Sequence, residues 1–115
     1  MVKLNPVKTR DEDMADLAGM KVSYDTYINW VQENGAEARL PGLNYSPNQL
    51  FWISSAIHHC SKYSAQTLER YIANYQWSPP QFRVNGPLQN LEEFTFDFRC
   101  PPGSKMNPVK KCIVW

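Results

Sequence analysis

Proline placement constrains this 115-residue chain more than any other feature. Proline fixes φ and has no amide proton, so helix interiors and the middle of sheets exclude it. Six of the nine prolines lie beyond residue 78: Pro79, Pro80, Pro87, Pro101, Pro102 and Pro108. The first two-thirds can therefore form uninterrupted helices, and the last third is expected to be loop-rich. No internal repeat or low-complexity segment breaks this division. A chain of this length makes one small domain, burying roughly two-thirds of its unfolded surface.

Met14, Leu17, Ala18, Tyr24, Tyr27, Ile28 and Val31 recur at three- and four-residue steps. That period predicts a first helix over about residues 10–33. Thr9 with Glu12 fits a capping box, and Asn34-Gly35 fits a stop. Residues 39–45 read as a loop. Asn44-Tyr45-Ser46 has the form of a glycosylation sequon, but Pro47 follows it and no reliable modification is expected. Ser46, Pro47 and Gln49 mark a strong second start. The run Leu50-Phe51-Trp52-Ile53 and then Ala56-Ile57 is apolar on nearly all sides, which requires burial against several neighbours. A third helix is predicted over about 64–75, with Leu68, Tyr71 and Ile72 on one face. A fourth is predicted over about 88–98, carrying Leu91, Phe94 and Phe98. The alternation at residues 94–98 also suits a short strand, and Asn90 with Glu93 favours the helix. The fold class is mainly α: about four helices with an irregular, Pro-rich C-terminal part.

Twelve Lys and Arg against eleven Asp and Glu leave a net charge of +1. That balance excludes a strongly basic nucleic-acid binder and an acidic tail protein. A composition 43% hydrophobic and 13% aromatic is globular rather than disordered. No apolar run reaches the roughly 18 residues of a membrane span. The first 13 residues contain no apolar stretch of the kind a secretory signal needs. Cys60, Cys100 and Cys112 are odd in number, so internal pairing leaves at least one unpaired. A Cys100–Cys112 bridge, with Cys60 free, is one arrangement.

Glu12 and Asp16 stand four residues apart and share a helix face. They fit a metal ligand with a carboxylate behind it. Spacing alone favours the other reading, a capping Glu in an acidic first turn that suits the positive end of the helix dipole. His58-His59-Cys60 resembles a ligand cluster, but neighbours on a helix point about 100° apart and rarely converge on one ion. An unrelated metal role built from Glu12, His58 or His59 is the weakest reading. Arg83, in the Pro-stiffened stretch 76–83, suits a carboxylate or carbonyl clamp, or a plain surface position. No Gly-rich phosphate loop and no Gly-x-Ser-x-Gly elbow is present.

Four blocks in order carry a family likeness: Leu40-Pro-Gly-Leu; Gln49-Leu-Phe; Ser78-Pro with Phe82-Arg83-Val-x-Gly-x-Leu-Gln-Asn90; and Met106-Asn-Pro-Val-Lys-Lys-Cys-Ile-Val-Trp115. Together they resemble the C-terminal end of the neprilysin and endothelin-converting-enzyme family of zinc metalloendopeptidases. The likeness runs from about Leu4 to Trp115, so residues 1–115 are expected to be part of a larger α-rich peptidase domain. The resemblance implies that Glu12 corresponds to the third zinc ligand. It implies that Asp16 orients the zinc-binding histidines and that Arg83 contacts the substrate backbone. It also implies a peptide substrate, an extracellular or cell-surface setting, and cysteines that pair with partners outside these residues.

Three departures accompany the resemblance. The family's His-Glu-x-x-His helix has no counterpart among these 115 residues, and a catalytic zinc takes three protein ligands. Without the ion, nothing lowers the pKa of the attacking water from about 15.7 towards about 7. Trp77 stands where the family has an oxyanion-stabilising His, and a lost donor of that kind costs about 3–4 kcal/mol. His58 and His59 stand where the family has apolar pocket residues. The chain alone is therefore expected to be catalytically incompetent, with an incomplete zinc site and the N-terminal part of a peptidase domain as its missing partner. The alternative is a pseudo-peptidase module that binds peptides or a protein.

Overall fold

A computed structural model describes residues 3–114, and five helices account for most of them. Trp115, which ends the terminal motif, lies outside the described residues. The helices are α1 (Pro6–Asn34), α2 (Pro47–Ile57), α3 (Ala65–Asn74), α4 (Pro80–Asn90) and α5 (Glu92–Asp97). Among the described residues there is no strand. The expected α class holds, with four helices of ten or more residues and a short fifth.

α1 spans 29 residues, about 43 Å at 1.5 Å per residue, and forms the long side of a body 47 Å in its largest dimension. It starts one turn earlier than expected. Asn5 caps it by accepting from the Val7 amide at 3.1 Å, and Pro6 takes the first helical position. Thr9, read as a cap, is instead buried inside the helix at 4% exposure. The far end behaves as expected: Gly35 adopts φ 88° and its amide donates to Val31 O at 2.8 Å. α2 has its full capping box, with Ser46 Oγ and Gln49 Oε1 each accepting from the other's amide, at 3.1 and 3.0 Å. Ser64 caps α3 through the Thr67 amide.

The stretch after residue 78 is more helical than its prolines suggest. Pro80 opens α4, where a missing amide proton costs nothing. Pro87 falls within the last turn, so it removes a single hydrogen bond, and Asn90 Nδ2 donates to Gly86 O at 2.7 Å. The predicted helix over 88–98 is split at Leu91, whose ψ of 123° ends α4 and precedes α5. Asn90 does not cap it: its Oδ1 accepts from the Cys112 amide at 2.7 Å and ties down the tail. Residues 98–114 are irregular, as expected.

Leu17, Tyr24, Trp52, Leu88, Leu91 and Phe94 form the buried core. Trp52, 1% exposed, stacks on Tyr24 at 4.1 Å and meets Phe94 edge-on at 5.9 Å. The aromatic contact joins α1, α2 and α5, while α4 packs along α1. The expectation that α2 is buried all round is not met: only Trp52 is buried, and Ile57 is 65% exposed. α3 has a strongly apolar face yet buries no residue.

The core carries one polar hub. Asp97 Oδ2 accepts from the Tyr24 hydroxyl at 2.6 Å and from Trp52 Nε1 at 2.7 Å. Asn48 Nδ2 donates to Asp97 Oδ1 and to the Tyr24 hydroxyl, and Gln49 Nε2 donates to Asp97 O. Beside it, Lys21 bridges Asp25 and Glu93, linking α1 to α5, and these contacts raise its pKa, the Asp25 hydrogen bond most of all. Asp97→Ala strands two buried donors at about 1–3 kcal/mol each. Urea unfolding is expected to show a loss of about 2–5 kcal/mol, a large share of a small domain's stability.

Burial and the Asp97 hydrogen bond push the Tyr24 hydroxyl well above its usual range. Burial and a 2.8 Å bond to Glu37 push Tyr27 from 10.0 up to about 12. Both tyrosines hold their protons more tightly folded than unfolded. The stability they add is thus complete below pH 10 and lost as pH climbs towards about 12. Melting temperatures measured from pH 9 to about 12 should fall, and Tyr27→Phe should flatten that fall.

Candidate functional site

The predicted site residues lie where α1 is crossed by the segment that leaves α3 and enters α4. One turn of α1 presents Glu12, Asp13 and Asp16, and each carboxylate meets a partner from residues 76–83. Gln76 Nε2 donates to Glu12 Oε1 at 3.2 Å. Ser78 Oγ donates to Asp13 Oδ2 at 3.0 Å. Arg83 Nε and Nη2 donate to Asp16 Oδ2 and Oδ1, both at 2.7 Å.

Two parallel bonds of that length are the fork geometry in which guanidinium and carboxylate planes match. The side chains are 26% and 19% exposed, so water screens the pair only partly. The Asp16 bond raises the Arg83 pKa, with burial opposing it. Among the described residues Nη1 has no partner, which leaves donors for an added carbonyl or carboxylate. Asp16 thus orients Arg83 in this chain.

An aromatic strip approaches the same place. Ring centroids step from Tyr63 to Tyr71 at 5.7 Å, to Tyr75 at 4.9 Å and to Trp77 at 6.1 Å. Burial raises the Tyr71 pKa most, and the Arg83 charge opposes that shift. Tyr75 and Trp77 are 49% and 36% exposed. The surface can therefore offer a fixed cation and exposed π faces to one ligand. It is open: Glu12, Asp16, Trp77 and Arg83 line neither of the clefts of about 240 and 500 Å³ along the C-terminal tail.

The other candidates lie apart. His58 follows α2 and is exposed, and it edges a cleft with Tyr27, Glu37 and Phe51. Cys60, Cys100 and Cys112 are free thiols. Among the described residues no three His, Cys, Asp or Glu side chains gather to hold a metal ion. Glu12 is a single donor, so these residues alone do not fit a hydrolytic zinc. Glu12, Asp16 and Arg83 are candidates from the sequence alone, whereas Asp13, Gln76 and Ser78 join the site only in the folded chain. Their partners are 64 and 65 residues away, and no local pattern marks them.

The profile of peptidase family M13 matches residues 1–114. Neprilysin-2 of Drosophila melanogaster is 46% identical over 114 residues, which is 99% of this chain and 15% of that protein. Endothelin-converting enzyme 1 of Homo sapiens is 45% identical over 112 residues, 97% of this chain and 14% of that protein. Among solved structures, the Haemonchus galactose containing glycoprotein complex superposes with a TM-score of 0.92 at 40% identity, over 97% of this chain and 20% of that chain. The chain spans about 15% of the length of the curated relatives it matches.

The Asp16–Arg83 pair carries a direct test. A double-mutant cycle with Asp16→Asn and Arg83→Gln is expected to give a coupling of about 1–3 kcal/mol, because both bonds are charge-assisted and half-sheltered. A coupling below about 0.5 kcal/mol, the size of an exposed pair, would contradict that geometry.

Proposed function

Because this chain belongs to peptidase family M13, we propose that residues 1–115 form the C-terminal part of a neprilysin-like metalloendopeptidase domain. The family reaction is hydrolysis of peptide bonds in oligopeptides. The observation that carries the reading is the crossing itself: one turn of α1 places Glu12 and Asp16 against the segment that bears Arg83. In the whole domain Glu12 serves as a zinc ligand, Asp16 as the orienting carboxylate and Arg83 as the contact to the substrate backbone. When bound, the ion supplies a water acidic enough to attack a carbonyl near neutral pH. Arg83, pinned through Nε and Nη2, keeps Nη1 to hold the peptide.

Taken alone, the chain is catalytically incompetent. It brings one ligand where three are needed, and it has Trp77, a single neutral donor, at the oxyanion position. Several large apolar residues are exposed, among them Leu40, Ile57 and Phe96 at 55%, 65% and 83%. The remainder of the peptidase domain is the partner that covers them. An extracellular or cell-surface setting follows from the family likeness, with zinc in the complete domain and the three thiols pairing there. No described helix is long and apolar enough to cross a membrane.

A second reading rests on Arg83 and the aromatic strip: a pseudo-peptidase module that binds peptides or a protein without cutting. A guanidinium fixed by Asp16, on the same 76–83 segment as the exposed Trp77 that ends the Tyr71–Tyr75–Trp77 ring series, suits a carbonyl next to an apolar side chain.

The purified chain is expected to hold far less than one zinc per molecule after neutral dialysis and to leave a quenched fluorogenic oligopeptide uncut. One tightly bound zinc with chelator-sensitive turnover overturns the incompetence. For the second reading, Arg83→Ala should weaken binding of a labelled oligopeptide at least about tenfold. Unchanged binding removes it.

A further inference from the structure

Three ties sew residues 76–83 to α1, and two of them use side chains already placed in the proposed site, Glu12 and the Asp16–Arg83 pair. The third, between Asp13 and Ser78, uses neither. Ser78 is 2% exposed, and its hydroxyl hydrogen is directed at Asp13 Oδ2. Pro79, also buried, follows it, and Pro80 opens α4. A buried hydroxyl with one acceptor has a strong preference for one geometry, because the alternative leaves a buried donor unpaired.

Trp77 lies between the two tied residues. Gln76 on one side is bonded to Glu12, and Ser78 on the other is bonded to Asp13. Consecutive α1 residues thus hold the side chains on both flanks of position 77. Glu12 and Asp13 point about 100° apart on the helix, so the two grips act from different directions and fix orientation as well as distance. Gln76 is exposed, whereas Ser78 is buried, which makes the Asp13 tie the firmer of the two.

We propose that Asp13 and Ser78 are a positioning pair that fixes the residue-77 side chain relative to Glu12 and Arg83. The inference rests on the proposed function for the meaning of position 77, where a donor must meet the reacting carbonyl or a bound peptide. Neither Asp13 nor Ser78 touches the reacting atoms. They act through the backbone of Trp77, and a small misplacement of a site group is costly in rate or affinity.

The test uses the intact chain and needs neither metal nor peptide. Trp77→Phe provides the reference that isolates the Trp77 fluorescence from that of the other three tryptophans. Acrylamide quenching of the difference signal reads the freedom of that ring. Asp13→Ala and Ser78→Ala are each expected to raise the Trp77 quenching constant about twofold, and the double variant should add little to either. Asp13→Asn keeps an oxygen acceptor for the Ser78 hydroxyl and should retain the parent value. Far-UV circular dichroism checks that the helices persist, and Ser78→Ala decides the matter if Asp13→Ala fails to fold. Unchanged quenching in the folded alanine variants overturns the proposal. So does an Asp13→Asn protein that behaves like Asp13→Ala. Because the readout is a property of the ring, its failure leaves the metal and peptide assignments standing. A failed zinc or peptide experiment with intact quenching changes sinks only those assignments.

Discussion

A carboxylate near the centre of this fold gathers donors from two other helices. Asp97 ends α5, takes the Tyr24 hydroxyl from α1 and the Trp52 indole N–H from α2, and receives Asn48 and Gln49 from the first turns of α2. The donors stand 45 to 73 positions from Asp97 in the chain. The aromatic core forms around this contact. Tyr24 and Trp52 stack at 4.1 Å while their polar ends share one acceptor, the half-buried Asp97 carboxylate. Without the carboxylate, two ring donors would be buried unpaired in a domain with little stability to spare.

A second polar seam lies along the N-terminal half of α1 and has a different task. The hub joins helices through the core, while Glu12, Asp13 and Asp16 secure an irregular segment between α3 and α4. Three neighbouring carboxylates on one helical turn repel one another, and α1 tolerates them because each meets a donor from residues 76–83. The result is a tied junction of helix and loop, with Arg83 held by two bonds to Asp16 and Trp77 flanked by two tied residues. Exposed aromatic rings lead up to it.

Much of the architecture was legible in residue order because helix signals are local. The Ser46–Gln49 box, the Gly35 stop and the period of α1 each depend on contacts within one or two turns. The misses have equally local causes. Asn5-Pro6 is as good a start signal as Thr9 with Glu12 and lies one turn earlier. Pro79-Pro80 was read as loop stiffening, though Pro at the first helical position favours a helix. Leu91 breaks residues 80–97 into α4 and α5 with an extended backbone that no composition rule forecasts. The candidate site was half legible. The spacing of Glu12 and Asp16, and the family likeness at all three positions, mark Glu12, Asp16 and Arg83, while the pairings of Asp13 with Ser78 and Glu12 with Gln76 arise only where chain segments more than 60 residues apart meet.

By itself, then, residue order determined a helical chain, its caps, its near-neutral charge and its membership of a peptidase family, because these depend on neighbours a few positions apart or on blocks in series. Tertiary structure alone decided which carboxylate meets which donor: that Asp97 serves Tyr24 and Trp52, that Asp16 holds Arg83, and that Asp13 holds Ser78. Pairings of that kind depend on where helices cross, and crossing is set by how the whole core packs.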